Sequence, residues 1–128
     1  MSNIPSYLQY TESHEWVSSE DDGSARIGIS DHAQQELGDL VFVELPAVGD
    51  ELGQGDPCAV VESVKAASDI FAPVSGKVIA INEDLDADPA VINTEPYDGG
   101  WLFQLELSDK DELDGLKSAE SYAASLED

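Results

Sequence analysis

Short apolar runs, separated by polar and glycine- or proline-containing breaks, make up most of the chain. Runs of four to eight residues with apolar side chains at alternate positions are typical of half-buried β-strands. Turn residues this frequent favour an antiparallel sheet structure over βαβ units, whose helices need longer periodic stretches. The pattern predicts strands over residues 7–11, 14–18, 25–29, 41–45, 58–62, 67–71, 77–81 and 101–107.

Helices are predicted near residue 35 and, as two segments, at the end of the sequence. Asp31 is suited to cap a short helix, with Gln34 three residues later and Gly38 as its end. Ser108 is expected to cap a second helix, which opens with acidic residues that complement the helix dipole. Ser118 is expected to start the last one. The helices therefore lie at the periphery of a β-rich chain.

Two further features bound the fold. Val41, Val43 and Leu45 are apolar at every second position, so they are predicted to share the buried face of one strand. Residues 82–100 are rich in proline and glycine and are predicted to form a long loop. Because no segment has the composition of a linker, residues 1–128 are expected to form one mainly β domain.

The charge balance is strongly acidic. Lysine and arginine number 5 against 28 aspartate and glutamate residues, which gives a formal net charge of −23. Such a charge repels itself, and at about 1 M salt the Debye length of roughly 3 Å screens most of that repulsion. We therefore expect a halophilic source, with an acidic carrier from a mesophile as the alternative. Nucleic acid is excluded as a partner because no basic patch can be built from so few cations.

Most catalytic and targeting signals are missing from the sequence. No stretch approaches the roughly 20 apolar residues of a membrane span, and residues 1–9 do not resemble a signal peptide, so a cytoplasmic protein is expected. Cys58 is the single cysteine and sits in an apolar strand, where an inert, buried thiol is expected. His14 and His32 are far apart in sequence, and no metal-binding motif is present, so no metal site is expected. No nucleophile elbow or phosphate-binding loop supports an enzyme.

Lys65 is the residue with the clearest candidate chemistry. It lies between two apolar runs that can pair as strands, which places it at or near a chain reversal, with small neighbours. An exposed lysine there suits covalent acylation, because its four-carbon stem gives reach and acylation removes the charge. The residues alone leave open a lysine placed in a turn for solubility.

The surroundings of Lys65 resemble the lipoyl-attachment motif of glycine cleavage H proteins. The motif residues are Glu62, Ser63, Val64, Lys65 and Ala66. The resemblance covers roughly residues 7–107, with matching segments in the family's order at 10–11, 14–17, 27–29, 33–34, 37–39, 43–46, Gly49, 73–76, 96–97 and 100–101. Ala80 and Gln104 depart from the residues that are common in the family, and they lie outside the attachment motif.

The resemblance implies a barrel-sandwich hybrid fold of the lipoyl- and biotinyl-carrier type, with a short internal helix and C-terminal helices. It implies lipoate bound covalently to Lys65 of a non-catalytic, monomeric carrier. The carrier would shuttle an aminomethyl group from glycine among three enzymes: glycine decarboxylase (P protein), aminomethyltransferase (T protein) and dihydrolipoyl dehydrogenase (L protein). A lipoate-attaching enzyme would be a fourth partner, and neither nucleic acid nor a membrane would be involved.

By the same resemblance, the loaded arm folds against a cleft on the carrier. Carboxylates in that cleft would attract the amine of the aminomethyl group. Glu15 and Asp69 are the candidates, with Ser13 and His32 nearby. Trp16, next to Glu15, indicates a partly buried setting for that carboxylate.

Three other functions remain open. An H-like protein that relays lipoyl groups in lipoate assembly would need the same Lys65. A biotinyl carrier is disfavoured, because biotinylated lysines typically lie between methionines and Met1 is the sole methionine. A small interaction module without modification would tolerate Lys65→Arg silently.

Overall fold

The computed structural model describes residues 4–20 and 23–126. The strands are β1 (Gln9–Tyr10), β2 (Glu15–Ser19), β3 (Ser24–Ile29), β4 (Leu40–Glu44), β5 (Glu51–Leu52), β6 (Pro57–Ser63), β7 (Ala67–Phe71), β8 (Gly76–Ile81), β9 (Phe103–Leu107) and β10 (Lys117–Ser118). The helices are α1 (Asp31–Leu37), α2 (Asp84–Ala87), α3 (Val91–Thr94), α4 (Ala119–Leu126) and a 3₁₀ helix (Lys110–Gly115). All of the predicted strand segments contain a strand, so the mainly β prediction is confirmed.

The strands form two antiparallel sheets. A seven-stranded sheet has the order β10-β1-β2-β3-β9-β8-β5, and a three-stranded sheet has the order β4-β6-β7. Buried residues from both sheets, including Ile27, Val61, Ile70 and Val78, form one apolar core. The two layers bury their apolar faces against each other, as half-buried antiparallel sheets must.

A second core cluster closes one end of the seven-stranded sheet. It contains Leu8, Tyr10, Trp16 and Tyr122, all buried. The rings of Tyr10 and Tyr122 stack with centroids 4.6 Å apart, so α4 is held against β1. Trp16 Nε1 donates to a backbone carbonyl at 2.9 Å, which satisfies its buried polar atom.

Helix ends follow the prediction closely but not residue for residue. The cap of α1 is Ser30, whose Oγ accepts from Ala33 N at 3.2 Å, and Asp31 is the first helical residue. Gly38 ends the helix with φ +82°, as predicted. Asp109, one residue after the predicted Ser108, caps the 3₁₀ helix.

The prediction at Ser118 is confirmed in the same way. Its Oγ accepts from Ser121 N at 3.2 Å at the start of α4. A serine hydroxyl in that position satisfies one of the free N–H groups in the first turn of a helix.

Two local predictions were wrong. Val41 is 57% exposed, because a register shift between Leu40 and Phe42 in the β4–β6 pairing breaks the alternation of the strand. The segment 82–100 contains the two short helices α2 and α3, and their buried Leu85 and Ile92 anchor them to the core. Four-residue helices give too short a pattern to be recognised among proline and glycine residues.

Candidate functional site

Lys65 lies at the tip of the β6–β7 hairpin. The strands pair antiparallel from Pro57 to Glu62, and the last paired residues are Glu62 and Ala67. Val64, Lys65 and Ala66 are exposed between them. The prediction that Lys65 lies at a chain reversal is confirmed.

The hydroxyl of Ser63 organises this turn. Its Oγ accepts from Lys65 N at 3.1 Å and from Ala66 N at 3.2 Å, and it donates to Ala66 O at 3.1 Å. Val64 N donates to Asp39 O at 3.1 Å, which ties the hairpin to the segment after α1. Ser63 therefore fixes the backbone on both sides of Lys65 while the Lys65 side chain projects from it.

The amine of Lys65 contacts the end of α1. Its Nζ donates to Glu36 O at 2.8 Å, one of the last carbonyl groups of that helix. A cation is favoured there because the final carbonyls carry the negative end of the helix dipole. Gly38 lies beside the lysine stem, and a Cβ on it would stand 3.2 Å from Lys65 Cε.

A cleft of about 190 Å³ lies between α1, β7 and the turn before β2. Ser13 and Asp69 both line it, so the structure brings these two predicted cleft residues together. Its other lining residues are His14, Ile29, Ala33, Glu36, Leu37, Ser68 and Ile70. His32 stands one contact away, with its ring centroid 4.8 Å from that of His14.

Glu15 occupies an adjacent cleft of about 330 Å³, and Ser13 lines both clefts. Glu15 is 1% exposed, so it is fully buried and not partly buried as the neighbouring Trp16 indicated in the sequence. Oε1 accepts from Thr11 Oγ1 at 2.6 Å and from Ser13 Oγ at 2.7 Å, and Oε2 accepts from Phe71 N at 3.4 Å. Glu15 thus links the two sheets, and its buried carboxylate is satisfied by the donors of Thr11, Ser13 and Phe71.

His14 was missed as a member of the site by the sequence analysis. It is a non-glycine residue with φ +73°, in the tight turn between β1 and β2. Its Nδ1 lies 2.7 Å from Tyr122 Oη, a contact across 108 residues of sequence. Burial, followed by the neighbouring charge of His32, lowers the pKa of His14 below its usual value. The sequence offered no signal for this long-range contact.

Cys58 is only partly buried, not fully buried as expected, but its environment still favours an unreactive thiol. Burial, reinforced by the charge of Glu15, raises the pKa of Cys58 to about 12. Its Sγ donates to Ile70 O at 3.2 Å across the β6–β7 pairing. A thiol with so high a pKa is protonated at neutral pH and is a poor nucleophile.

No helix in the described part of the chain is long and apolar enough to span a membrane.

Comparisons with known proteins agree with this geometry. The family model described as glycine cleavage H-protein matches residues 8–128. The glycine cleavage system H protein of Photorhabdus laumondii is 57% identical over 128 residues, covering 100% of this chain and 98% of the relative. The corresponding protein of Pseudoalteromonas translucida is 56% identical, covering 100% and 99%.

A crystal structure of a glycine cleavage system H protein from Mycobacterium marinum superimposes with a TM-score of 0.89. It is 40% identical and covers 97% of this chain and 99% of that one. The barrel-sandwich class expected from the sequence is therefore confirmed. With the family model matching nearly the whole chain and relatives above half identity, this chain belongs to the glycine cleavage H-protein family.

Proposed function

We propose that this chain is the lipoyl carrier of a glycine cleavage system and that Lys65 is its attachment residue. The observation that carries the proposal is the exposed Lys65 at a hairpin tip whose backbone is fixed by Ser63, next to a cleft with carboxylates. A tethered arm keeps its end at high effective concentration near any docked enzyme. The chain itself contributes position and shielding.

The surroundings of Lys65 fit a lipoyl group. The side chain is exposed, its neighbours Val64 and Ala66 are small, and the amine makes one hydrogen bond to a carbonyl that an amide N–H can also make. When attached, lipoate would supply a disulfide that is reductively opened as it accepts the aminomethyl group of glycine, and the dithiol left after transfer would be reoxidised to the disulfide. The residues of the chain hold the stem of the arm and offer the cleft into which its end folds.

The partners follow from this role. We assign to the carrier the glycine decarboxylase, the aminomethyltransferase, the dihydrolipoyl dehydrogenase and a lipoate-attaching enzyme. The carrier is a cytoplasmic monomer without catalytic activity of its own, made of one domain over residues 1–128. Val41, Phe42 and Val64 expose apolar surface near Lys65, where a docking enzyme would reach the arm.

The cleft residues provide the shielding. β7 runs from the hairpin tip at Ala67 to Phe71, whose N–H reaches Glu15, and four residue steps of about 3.4 Å span roughly 14 Å. The arm would pass Asp69 and end near Ser13, with Glu15 polarising the Ser13 hydroxyl. His32 lies beside His14, with the two ring centroids 4.8 Å apart. Negative charge at the end of the path favours the cationic amine.

Replacing Glu15 with glutamine is expected to leave lipoylation intact and to shorten the lifetime of the aminomethylated form. The loss of one charge-assisted contact, worth about 1.5 kcal/mol or more, corresponds to about a tenfold shorter half-life. The measurement is the release of ammonia and formaldehyde from loaded, isolated carrier. Glu106→Gln, an exposed carboxylate on β9, is the control. An unchanged half-life for E15Q would mean that Glu15 does not shield the aminomethyl group.

We propose in addition that the source is halophilic. The described ion pairs join Arg26 to Glu20 at 3.9 Å and His32 to Glu36 at 3.1 Å, and 5 cations cannot neutralise 28 carboxylates. The folded state concentrates this charge more than the unfolded chain does. Salt therefore stabilises the fold by screening.

The thermal midpoint is expected to rise by several degrees between about 0.1 M and 1 M KCl, as the Debye length falls from about 10 Å to 3 Å. A change of 1 kcal/mol corresponds to roughly 2–8 °C in a chain of this size. Circular dichroism gives the midpoint, and choline chloride at equal ionic strength tests whether screening is the cause. A thermal midpoint that changes with neither salt would contradict the proposal of a halophilic source.

A further inference from the structure

Two histidines and a glutamate converge at the mouth of the cleft. His14, His32 and Glu36 each place one potential ligand atom within 4.8 Å of the others. His32 Nε2 lies 3.1 Å from Glu36 Oε1, and the two imidazole rings have centroids 4.8 Å apart. His14 lies 18 residues before His32 and 22 residues before Glu36. The three meet because the turn that holds His14 faces α1.

We propose that His14, His32 and Glu36 form a binding site for a divalent transition-metal ion of the Zn²⁺ class. Imidazole nitrogen and carboxylate oxygen are ligands that such ions accept, and three protein ligands leave a further position open. Ligand atoms at this separation need a shift of about 1–2 Å to reach a common ion at roughly 2 Å from each. Side-chain rotation of the exposed Glu36 supplies part of it.

The backbone sets two of these ligands on one helix face. His32 and Glu36 are four residues apart on α1, so their side chains lie one above the other. Their positions do not depend on long loops. The spacing is the one at which a helix presents two ligands to a single ion.

The third ligand is held by an unusual backbone. His14 has φ +73°, a conformation in which histidine is tolerated better than most residues. His14 N donates to Thr11 O at 3.2 Å, and its carbonyl accepts from Ser30 N at 2.9 Å, next to the start of α1. These bonds aim the imidazole at α1. Strain of this kind persists where the surrounding structure fixes it, often at functional sites.

A chain of hydrogen bonds orients the imidazole of His14. Its Nδ1 lies 2.7 Å from Tyr122 Oη, which lies 2.6 Å from Ser30 Oγ, which accepts from Ala33 N. Because Nδ1 faces this hydroxyl, Nδ1–H can donate to Tyr122, which leaves Nε2 as the ligand. An imidazole whose other nitrogen is bonded in this way is the usual arrangement at metal sites.

The net charge of −23 raises the local concentration of cations around the chain.

The open side of the cluster faces the cleft. His14 and Glu36 line the same 190 Å³ space as Ser13 and Asp69. A solvent molecule or a small ligand could take the remaining coordination position from that side. The proposal concerns the unmodified chain and is independent of lipoylation at Lys65.

The test is titration of the unlipoylated protein with ZnCl₂, followed by calorimetry and by the ring-proton NMR signals of the two histidines. One equivalent is expected to bind and to shift both sets of signals. His32→Gln and His14→Asn are expected to weaken that affinity by more than about 100-fold, beyond the 10–100-fold effect typical of an outer-shell partner. Asparagine is chosen at residue 14 because it tolerates the positive φ.

Two further variants separate a built site from binding to the acidic surface. Tyr122→Phe removes the orienting hydroxyl and is expected to weaken Zn²⁺ by about tenfold with the fold retained by far-ultraviolet circular dichroism. Glu106→Gln, remote from the cluster, is expected to leave the affinity unchanged. The absence of a stoichiometric heat, or weak binding of several ions that His32→Gln does not alter, would overturn the proposal.

Discussion

Replacing Lys65 with arginine is expected to abolish lipoylation, and with it all glycine cleavage. The free energy of unfolding is expected to stay within about 0.5 kcal/mol of the parent value. Arginine keeps the positive charge and can still donate to Glu36 O, so the hairpin is preserved. Its guanidinium is not acylated by an enzyme that acylates amines. Intact mass after treatment with a lipoate-attaching enzyme, and glycine-dependent NADH formation with the three partner enzymes, are the measurements.

Lys77→Arg is the matched control for Lys65→Arg, because Lys77 is also an exposed lysine and lies on β8, away from the hairpin tip. It should be lipoylated and active. An adduct on the Lys65→Arg protein would place the attachment elsewhere, and a silent Lys65→Arg in the full assay would favour an unmodified interaction module. The mass of the adduct separates lipoate from biotin. Transfer of the lipoyl group from the loaded chain to other proteins would favour the relay role.

Gly28→Ala is expected to destabilise the fold strongly. Gly28 pairs with Trp16 between β3 and β2, and a Cβ on it would lie 2.5 Å from Trp16 Cε2 and Cζ2. The indole cannot withdraw freely because its Nε1 donates to Pro96 O. Overpacking costs about 1–3 kcal/mol, and losing the hydrogen bond of a buried donor adds about 1–3 kcal/mol. Urea unfolding followed by tryptophan fluorescence should give a lower midpoint with an unchanged slope.

Gly115→Ala provides the comparison for this substitution. Gly115 ends the 3₁₀ helix, and a Cβ there meets no atom within 4 Å. Its free energy of unfolding should stay within about 0.5 kcal/mol of the parent value. Equal losses in both variants would mean that the contact with Trp16 is not the cause of the cost at Gly28.

The strands were predictable because each lies in or near a short apolar run bounded by turn residues, and these runs pack in a two-layer structure. The same argument located Lys65, since its flanking strands had to pair and the residues between them had to turn. Val41 was misplaced because a bulge is set by the pairing partner across the sheet, which the local pattern does not contain. Helices α2 and α3 are stabilised by burial of Leu85 and Ile92 more than by their own four-residue periods.

The candidate cleft was predictable only in part. Ser13 and Asp69 meet across the two sheets as the resemblance implied, but Glu15 lies in the neighbouring cleft and reaches the first through Ser13. The convergence of His14 and His32 depends on how the β1–β2 turn packs against α1, so histidine spacing gave the opposite expectation. Contacts of this kind are set by tertiary structure and leave no local sequence period.

The position of β1 has a consequence for how the chain is made. β1 lies between β2 and β10, and Tyr10 stacks on Tyr122, so β1 needs a neighbour that is synthesised about 110 residues later. During translation, which adds about 5–20 residues per second, Leu8, Tyr10 and Trp16 remain without Tyr122 until those further residues have been added. Folding then depends on contacts between residues distant in sequence. The net negative charge disfavours association of the incompletely folded chains.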